Sequence, residues 1–214
     1  MTGILFDLDG TLLDTLEDLA DAVNYALDAH GYPSRTIEEV RRFVGNGAAR
    51  LIALSVPEGA DYEPVLETYR TYYQAHSLVK TGPYPGILEA LEVIRSKYPV
   101  AIVSNKPDPS VKLLCKQFFG DIYALGETPD CPRKPAPDML YKATHALGVD
   151  QFIYVGDSDV DVTTAHGAGA RCISVLWGFR DEEEIRTAGG KHFCRTAQEL
   201  LPMIETLLAS DFEE

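Results

Sequence analysis

An apolar run, Gly3–Phe6, ends in Asp7, and Leu8, Asp9, Gly10 and Thr11 follow at once. A core does not tolerate two unpaired carboxylates, so this pair must meet a cation or a charged ligand. Polar groups also close other apolar runs. Ser104 and Asn105 follow Val100–Val103, and Gly156, Asp157 and Ser158 follow 152–155, with Asp161 just beyond. Lys134 stands in the stretch Arg-Lys-Pro-Ala-Pro-Asp. Oxygen donors suit a hard cation, and Mg2+ takes one or two carboxylates together with waters and phosphate oxygens. Asp7 and Asp157 are the expected metal pair. A carboxylate can also attack phosphorus and carry the phosphoryl group. That chemistry needs an acid for the leaving oxygen and a base for water, and Asp9 is the candidate. Ser104, Lys134 and backbone N–H groups would hold the phosphoryl oxygens. Taken singly, each residue has a plainer reading. Asp7 and Asp9 can form a turn before Gly10, Lys134 can be a solvated charge, and Asp161 can cap a helix.

These residues need a frame that brings distant chain segments together. Five short runs read as buried strands: 3–9, 100–105, 121–127, 152–157 and 171–178. They are continuously apolar rather than alternating, as expected of strands covered on both faces. Helical patterns at 86–98, 135–148 and 161–170 lie between them. The first puts Ile87, Leu88, Leu91 and Ile94 on one face, and Gly148 is a natural terminator of the second. Strand and helix in alternation predict an α/β fold, a doubly wound parallel sheet of Rossmann-like type. Such sheets bind ligands at the carboxyl ends of their strands, where the polar groups stand. One stretch breaks the rhythm. From Asp14 to Thr81 there is no strand signal, and helices are expected at 15–30, 36–43, 47–55 and 61–79. The division is therefore 1–13 with 83–214 as core and 14–82 as a helical insert, with hinges near Leu13–Thr15 and Gly82–Gly86. The tail 209–214 is expected to fray.

Composition excludes several classes. The chain of 214 residues carries a net charge of −14, which argues against a nucleic-acid partner. A small anionic substrate can still be met by a local cationic pocket. Cys115, Cys131, Cys172 and Cys194 form no C-x-x-C pair, so idle thiols in a reducing compartment are expected. His30, His76, His145, His166 and His192 show no ligand spacing. With no signal peptide pattern and no apolar run of membrane-spanning length, the expectation is a cytoplasmic protein, monomeric or homodimeric.

Four segments in order, "DLDGT" at 7–11, "SN" at 104–105, "KPAPD" at 134–138 and "GDSDVD" at 156–161, resemble the motifs of haloacid dehalogenase-like hydrolases over nearly the whole chain. The resemblance implies Asp7 as nucleophile and Mg2+ ligand. It implies Asp9 as general acid/base, lending a backbone carbonyl to the metal and oriented by Thr11. Thr11, Ser104, Asn105 and Lys134 would form the phosphate site, Asp157 the second metal carboxylate, and Ser158 and Asp161 its supporting groups. The insert corresponds to the cap of this family. Gly45, Asn46, Gly47 and Arg50 in "VGNGAARLI" resemble the cap loop of phosphoglycolate phosphatases. Arg50 would grip a substrate carboxylate, although the stretch is also ordinary turn chemistry. The aromatic run 68–76 reads as packing within the insert, and Trp177-Gly178-Phe179 as either packing or crevice lining. Asp9 favours phosphoryl over halide chemistry, Lys80 alone does not suit the phosphonate-cleaving branch, and Gly156 stands where a mutase carries Glu. The resemblance therefore implies a Mg2+-dependent phosphatase of a small phosphomonoester, best 2-phosphoglycolate. Pyrophosphate, nucleotide or sugar phosphates, a β-phosphoglucomutase-like reaction, and a silent binding protein on the same scaffold are the alternatives.

Overall fold

A computed structural model describes residues 1–210. The chain runs through β1 (Thr2–Phe6), β2 (Leu13–Asp14), α1 (Leu16–Ala29), α2 (Ile37–Phe43), α3 (Gly47–Ser55), α4 (Glu63–His76) and β3 (Gly82–Pro83). Then follow α5 (Ile87–Lys97), β4 (Val100–Pro107), α6 (Asp108–Phe119), β5 (Tyr123–Glu127), α7 (Asp138–Leu147) and β6 (Gln151–Gly156). The last elements are α8 (Asp159–Gly167), β7 (Arg171–Val175), α9 (Glu182–Thr187), β8 (His192–Cys194) and, after a 3-10 turn, α10 (Leu200–Ala209). Of the tail expected to fray, residues 211–214 lie outside the described residues.

The six long-range strands form one parallel sheet in the order β5-β4-β1-β6-β7-β8. The apolar runs form its centre because both faces are covered. Along β1, Ile4 and Phe6 enter one cluster with α5, α6 and α10, and Leu5 enters another with α7 and α8. The same alternation holds for Ile102 against Ala101 and Val103, and for Val155 against Tyr154. Phe6 pairs with both Ile102 and Val155, so Asp7 emerges in the middle of the sheet, flanked by the ends of β4 and β6.

Several details differ from the sequence expectation. β1 stops at Phe6, before the carboxylates. Leu88 is 48% exposed, and the buried face of α5 is Ile87, Leu91 and Ile94. The edge strand β8 and helices α6, α9 and α10 carry weak signals: three residues, a Pro109 start, six residues, and an apolar run interrupted by Pro202. Gly148 ends α7 in a left-handed conformation.

Helices α1 to α4 pack around a cluster of their own, which includes Val23, Leu27, Val40, Ile52, Val65 and Tyr69. Chain exit and re-entry coincide in a two-stranded antiparallel ribbon, Leu13 opposite Pro83 and Asp14 opposite Gly82. Buried Asp18 fastens the return. Its carboxylate accepts from the backbone N–H groups of Val79, Lys80 and Thr81 and from the Thr81 hydroxyl.

Candidate active site

Asp7 just past β1, Asp157 just past β6 and Ser104 within β4, which runs on to Pro107, surround one buried point. Lys134 reaches it from the loop before α7 and is itself 2% exposed. Its ammonium lies 2.7 Å from Asp161 Oδ1, 2.8 Å from the Tyr154 hydroxyl and 2.9 Å from Asp7 Oδ1. Burial opposes its charge, but the Asp161 and Asp7 carboxylates outweigh that and hold it protonated. Asp161 is also the hub of the next turn. Ser158 is the N-cap of α8, and Asp161 closes the capping box, accepting from the Ser158 N–H at 3.1 Å and hydroxyl at 2.6 Å. Asp161 is thus not the N-cap itself. It locks the Asp157–Ser158 turn and orients Lys134 in one stroke.

Asp157 accepts from the Thr11 hydroxyl at 3.0 Å and from the Phe179 N–H at 2.7 Å. The expectation that Thr11 orients Asp9 is corrected here: Thr15 donates to Asp9 Oδ1 at 2.6 Å instead. The turn at Gly10 (φ 79°) puts Thr11 against Asp157, and the bridge between Asp9 and Leu13 brings the following Thr15 to Asp9. Lys106 Nζ lies 3.0 Å from the same Asp9 oxygen and 4.6 Å from the Tyr73 ring centroid. Ser104 Oγ accepts from the Lys106 N–H, leaving its own proton to donate. Asn105 was expected to bind phosphate, but its side chain is engaged elsewhere. It donates to the carbonyls of Gly45 and Lys134 and accepts from the Lys134 N–H.

The site opens into a cavity of about 690 Å³ between sheet and insert. Gly45 and Gly47 line it; Asn46 and Arg50 do not. Helix α3 begins at Gly47, and its lining residues 47, 48, 49 and 51 span one arc at about 100° per residue. Position 50 falls outside that arc, and Arg50 is exposed. The cations that face the cavity are Lys106, Lys134, Arg70 and Arg180. Tyr69 and Tyr73 of the aromatic run pack within the insert and also line the cavity, as does Phe179.

The haloacid dehalogenase-like hydrolase family model matches residues 4–175. The chain belongs to that family. The phosphoglycolate phosphatase of Cereibacter sphaeroides is 34% identical over 190 residues, 84% of this chain and 87% of the relative. That of Vibrio parahaemolyticus is 31% identical over 94% of this chain and 95% of its own. A crystal structure from Lactobacillus delbrueckii subsp. bulgaricus, whose phosphoglycolate phosphatase assignment is provisional, superposes with a TM-score of 0.87 at 35% identity, covering 93% of this chain and 96% of that one. The chain is a phosphoric monoester hydrolase of the phosphoglycolate phosphatase-like branch.

In this hydrolase the residues fit a divalent cation. Asp7, Asp157 and Asp161 each offer an oxygen within 4.8 Å of the others. These three buried carboxylates share one buried ammonium, Lys134, whereas Asp9 has Lys106 to itself. Burial pushes the Asp7 carboxyl well above its usual range, only partly offset by Lys134. Burial, then the Asp161 charge, lifts Asp157 to about 7. Asp7 Oδ1 is buried and lacks a properly directed hydrogen bond. The cluster is therefore short of positive charge by about what one divalent ion supplies. Gly10 and Gly178 make room for it: a Cβ on either would lie within 2.5 Å of an Asp157 oxygen. At Gly156 a Cβ would lie 2.3 Å from Asp161 Cγ, so this hydrolase has no space there for the Glu of a mutase. Sequence reasoning missed Thr15, Lys106, Tyr154 and Arg180. Lys106 alone carried a signal, because it follows Ser104-Asn105 directly on the strand.

Proposed function

We propose that this hydrolase is a Mg2+-dependent phosphatase of 2-phosphoglycolate, acting in the cytoplasm with residues 14–82 as its cap. The observation that carries the reading is Asp7, a buried carboxylate at the centre of the sheet. It lies 2.9 Å from a fixed ammonium and opens on a cavity closed by the insert. When bound, Mg2+ supplies positive charge to the phosphoryl oxygens and to Asp7 and Asp157, with the Asp9 carbonyl as a further donor. Lys134 and the Ser104 hydroxyl take the remaining phosphoryl oxygens. An Asp7 oxygen forms a bond to phosphorus as the ester P–O bond breaks, and Asp9 gives its proton to the departing alkoxide. Water then attacks the same phosphorus and gives Asp9 a proton, and the Asp7–phosphorus bond breaks to release phosphate. Thr15 and Lys106 fix Asp9 for both transfers. Lys106, which lines the cavity where Arg50 does not, has further N–H donors beyond the one that meets Asp9, and these suit a substrate carboxylate. The names of the relatives support 2-phosphoglycolate as that substrate.

Phosphate release with Mg2+ tests this on 2-phosphoglycolate, pyrophosphate, nucleoside monophosphates, hexose phosphates and an aryl phosphate, each repeated with EDTA. EDTA-sensitive release with kcat/KM highest for 2-phosphoglycolate is expected, and Asp7→Asn should abolish it. Release by Asp7→Asn at the wild-type rate would sink the mechanism. A higher kcat/KM on another ester would overturn the substrate.

A further inference from the structure

The turn after β7, Trp177–Arg180, is held from two sides. On the sheet side, the Phe179 N–H donates to Asp157 Oδ2 at 2.7 Å, and Trp177 Nε1 donates to the Thr11 carbonyl at 3.0 Å. Gly178 lies so close to Asp157 that a Cβ there would be 2.3 Å from the Asp157 Cβ. On the insert side, buried Arg180 donates to three carbonyls at the end of α2: Arg41 at 2.9 Å, Arg42 at 3.2 Å and Val44 at 2.6 Å. Such terminal carbonyls have no partner within their own helix, and a cation there is favoured by the helix dipole. The contact is reciprocal, because Arg41 Nη2 donates back to the Gly178 carbonyl at 2.7 Å. Arg180 Nε also lies 3.6 Å from Asp159 at the start of α8. The Phe179 ring packs into the apolar cluster of the insert.

One four-residue turn therefore orients a carboxylate of the metal site with its backbone and grips the insert with its side chains. We propose that Arg180 is a positioning residue: seating of α2 on its guanidinium holds the turn, and thereby Asp157, in the geometry that binds the cation. The inference rests on the phosphatase reading for its cation, but the coupling itself is a property of the turn. When the insert lifts, Arg180 loses its carbonyls, the turn loosens, and Asp157 loses its N–H donor. The insert thus reports its position to the carboxylate without touching it.

Trp177 is the sole tryptophan of the chain and sits in the turn, so its quenching by acrylamide reads the turn without metal or substrate. Arg180→Ala and Arg41→Ala should each raise the quenching constant, and the double variant should add little to either. Each single variant should also weaken Mg2+ binding, measured by calorimetric titration of the intact protein, by about tenfold, as loss of a group that orients a ligand does. Arg180→Lys, which can reach one carbonyl but not three, should fall between. Unchanged quenching in both single variants would overturn the coupling. Raised quenching with unchanged Mg2+ affinity would overturn its reach to Asp157, leaving a plain packing contact. If Arg180→Ala fails to fold, the exposed Arg41→Ala carries the test. If the wild type binds no Mg2+, the functional reading fails, and Trp177 decides the coupling by itself.

Discussion

Asp9 is gripped by a hydroxyl at 2.6 Å and an ammonium at 3.0 Å, both on the same carboxylate oxygen. Its other oxygen is left for a leaving group or a water, which is what a proton carrier needs. Asp9→Asn should keep the fold and substrate binding and lower kcat by about 10²–10⁴-fold, the usual worth of a positioned acid/base. Steady-state kinetics with a thermal melt checks this, and an unaltered kcat would remove Asp9 from the chemistry. At this scale the sequence showed which residues meet but not how they are held. Asp7 and Asp157 directly follow β1 and β6, and Ser104 lies beside them in β4, so their convergence follows from strand order, while Lys134 is added by the loop before α7. Thr15 and Tyr154 do not stand at the carboxyl end of a strand in the six-stranded sheet, and their partners are set by a turn and by the face on which a side chain falls. Arg50 failed for the converse reason. Proximity to a glycine loop was visible, but the rotation of α3 that turns it outward was not.

Elements were legible where one period ran uninterrupted. The apolar strands and the 3.6-residue stripes of α1 and α5 depend on local pattern, and their burial follows from it. The edge strand β8 owes its existence to pairing with β7, and helix α10 to the sheet face it covers, rather than to any pattern of their own. At the insert's root, one residue of α1 controls the join. Asp18 takes three backbone N–H groups and one hydroxyl from the returning segment, and the two Thr81 donors are buried. Asp18→Ala should therefore destabilise the protein by about 2–4 kcal/mol, given the cost of charge-assisted bonds and of the donors left unpaired. Urea unfolding measures it, and a loss within about 0.5 kcal/mol, ordinary for a surface substitution, would contradict it.

For the molecule as a whole, the crowded carboxylates set how stability depends on pH. Asp157 titrates from near 3.8 when unfolded to about 7 in the metal-free fold. The unfolded chain releases that proton first, so this group's contribution is greatest below about pH 4, declines as pH rises to about 7, and is flat above. Asp7 acts in the same direction. A bound cation removes the penalty, so Mg2+ should raise the melting temperature more at pH 8 than at pH 5.5. Melts with Mg2+ or EDTA across that range test it, and an equal shift at both pH values would place the ion elsewhere. The ribbon of β2 and β3 carries a consequence of another kind. Because Leu13 pairs with Pro83 and Asp14 with Gly82, the long helical excursion opens and shuts on one two-rung ribbon. To the sheet it is a cassette entered and left through one short ribbon. A cassette of different shape could be grafted there without moving β1, β4 or β6, provided it keeps the carbonyls that seat Arg180, so what the enzyme selects can drift while how it reacts stays fixed.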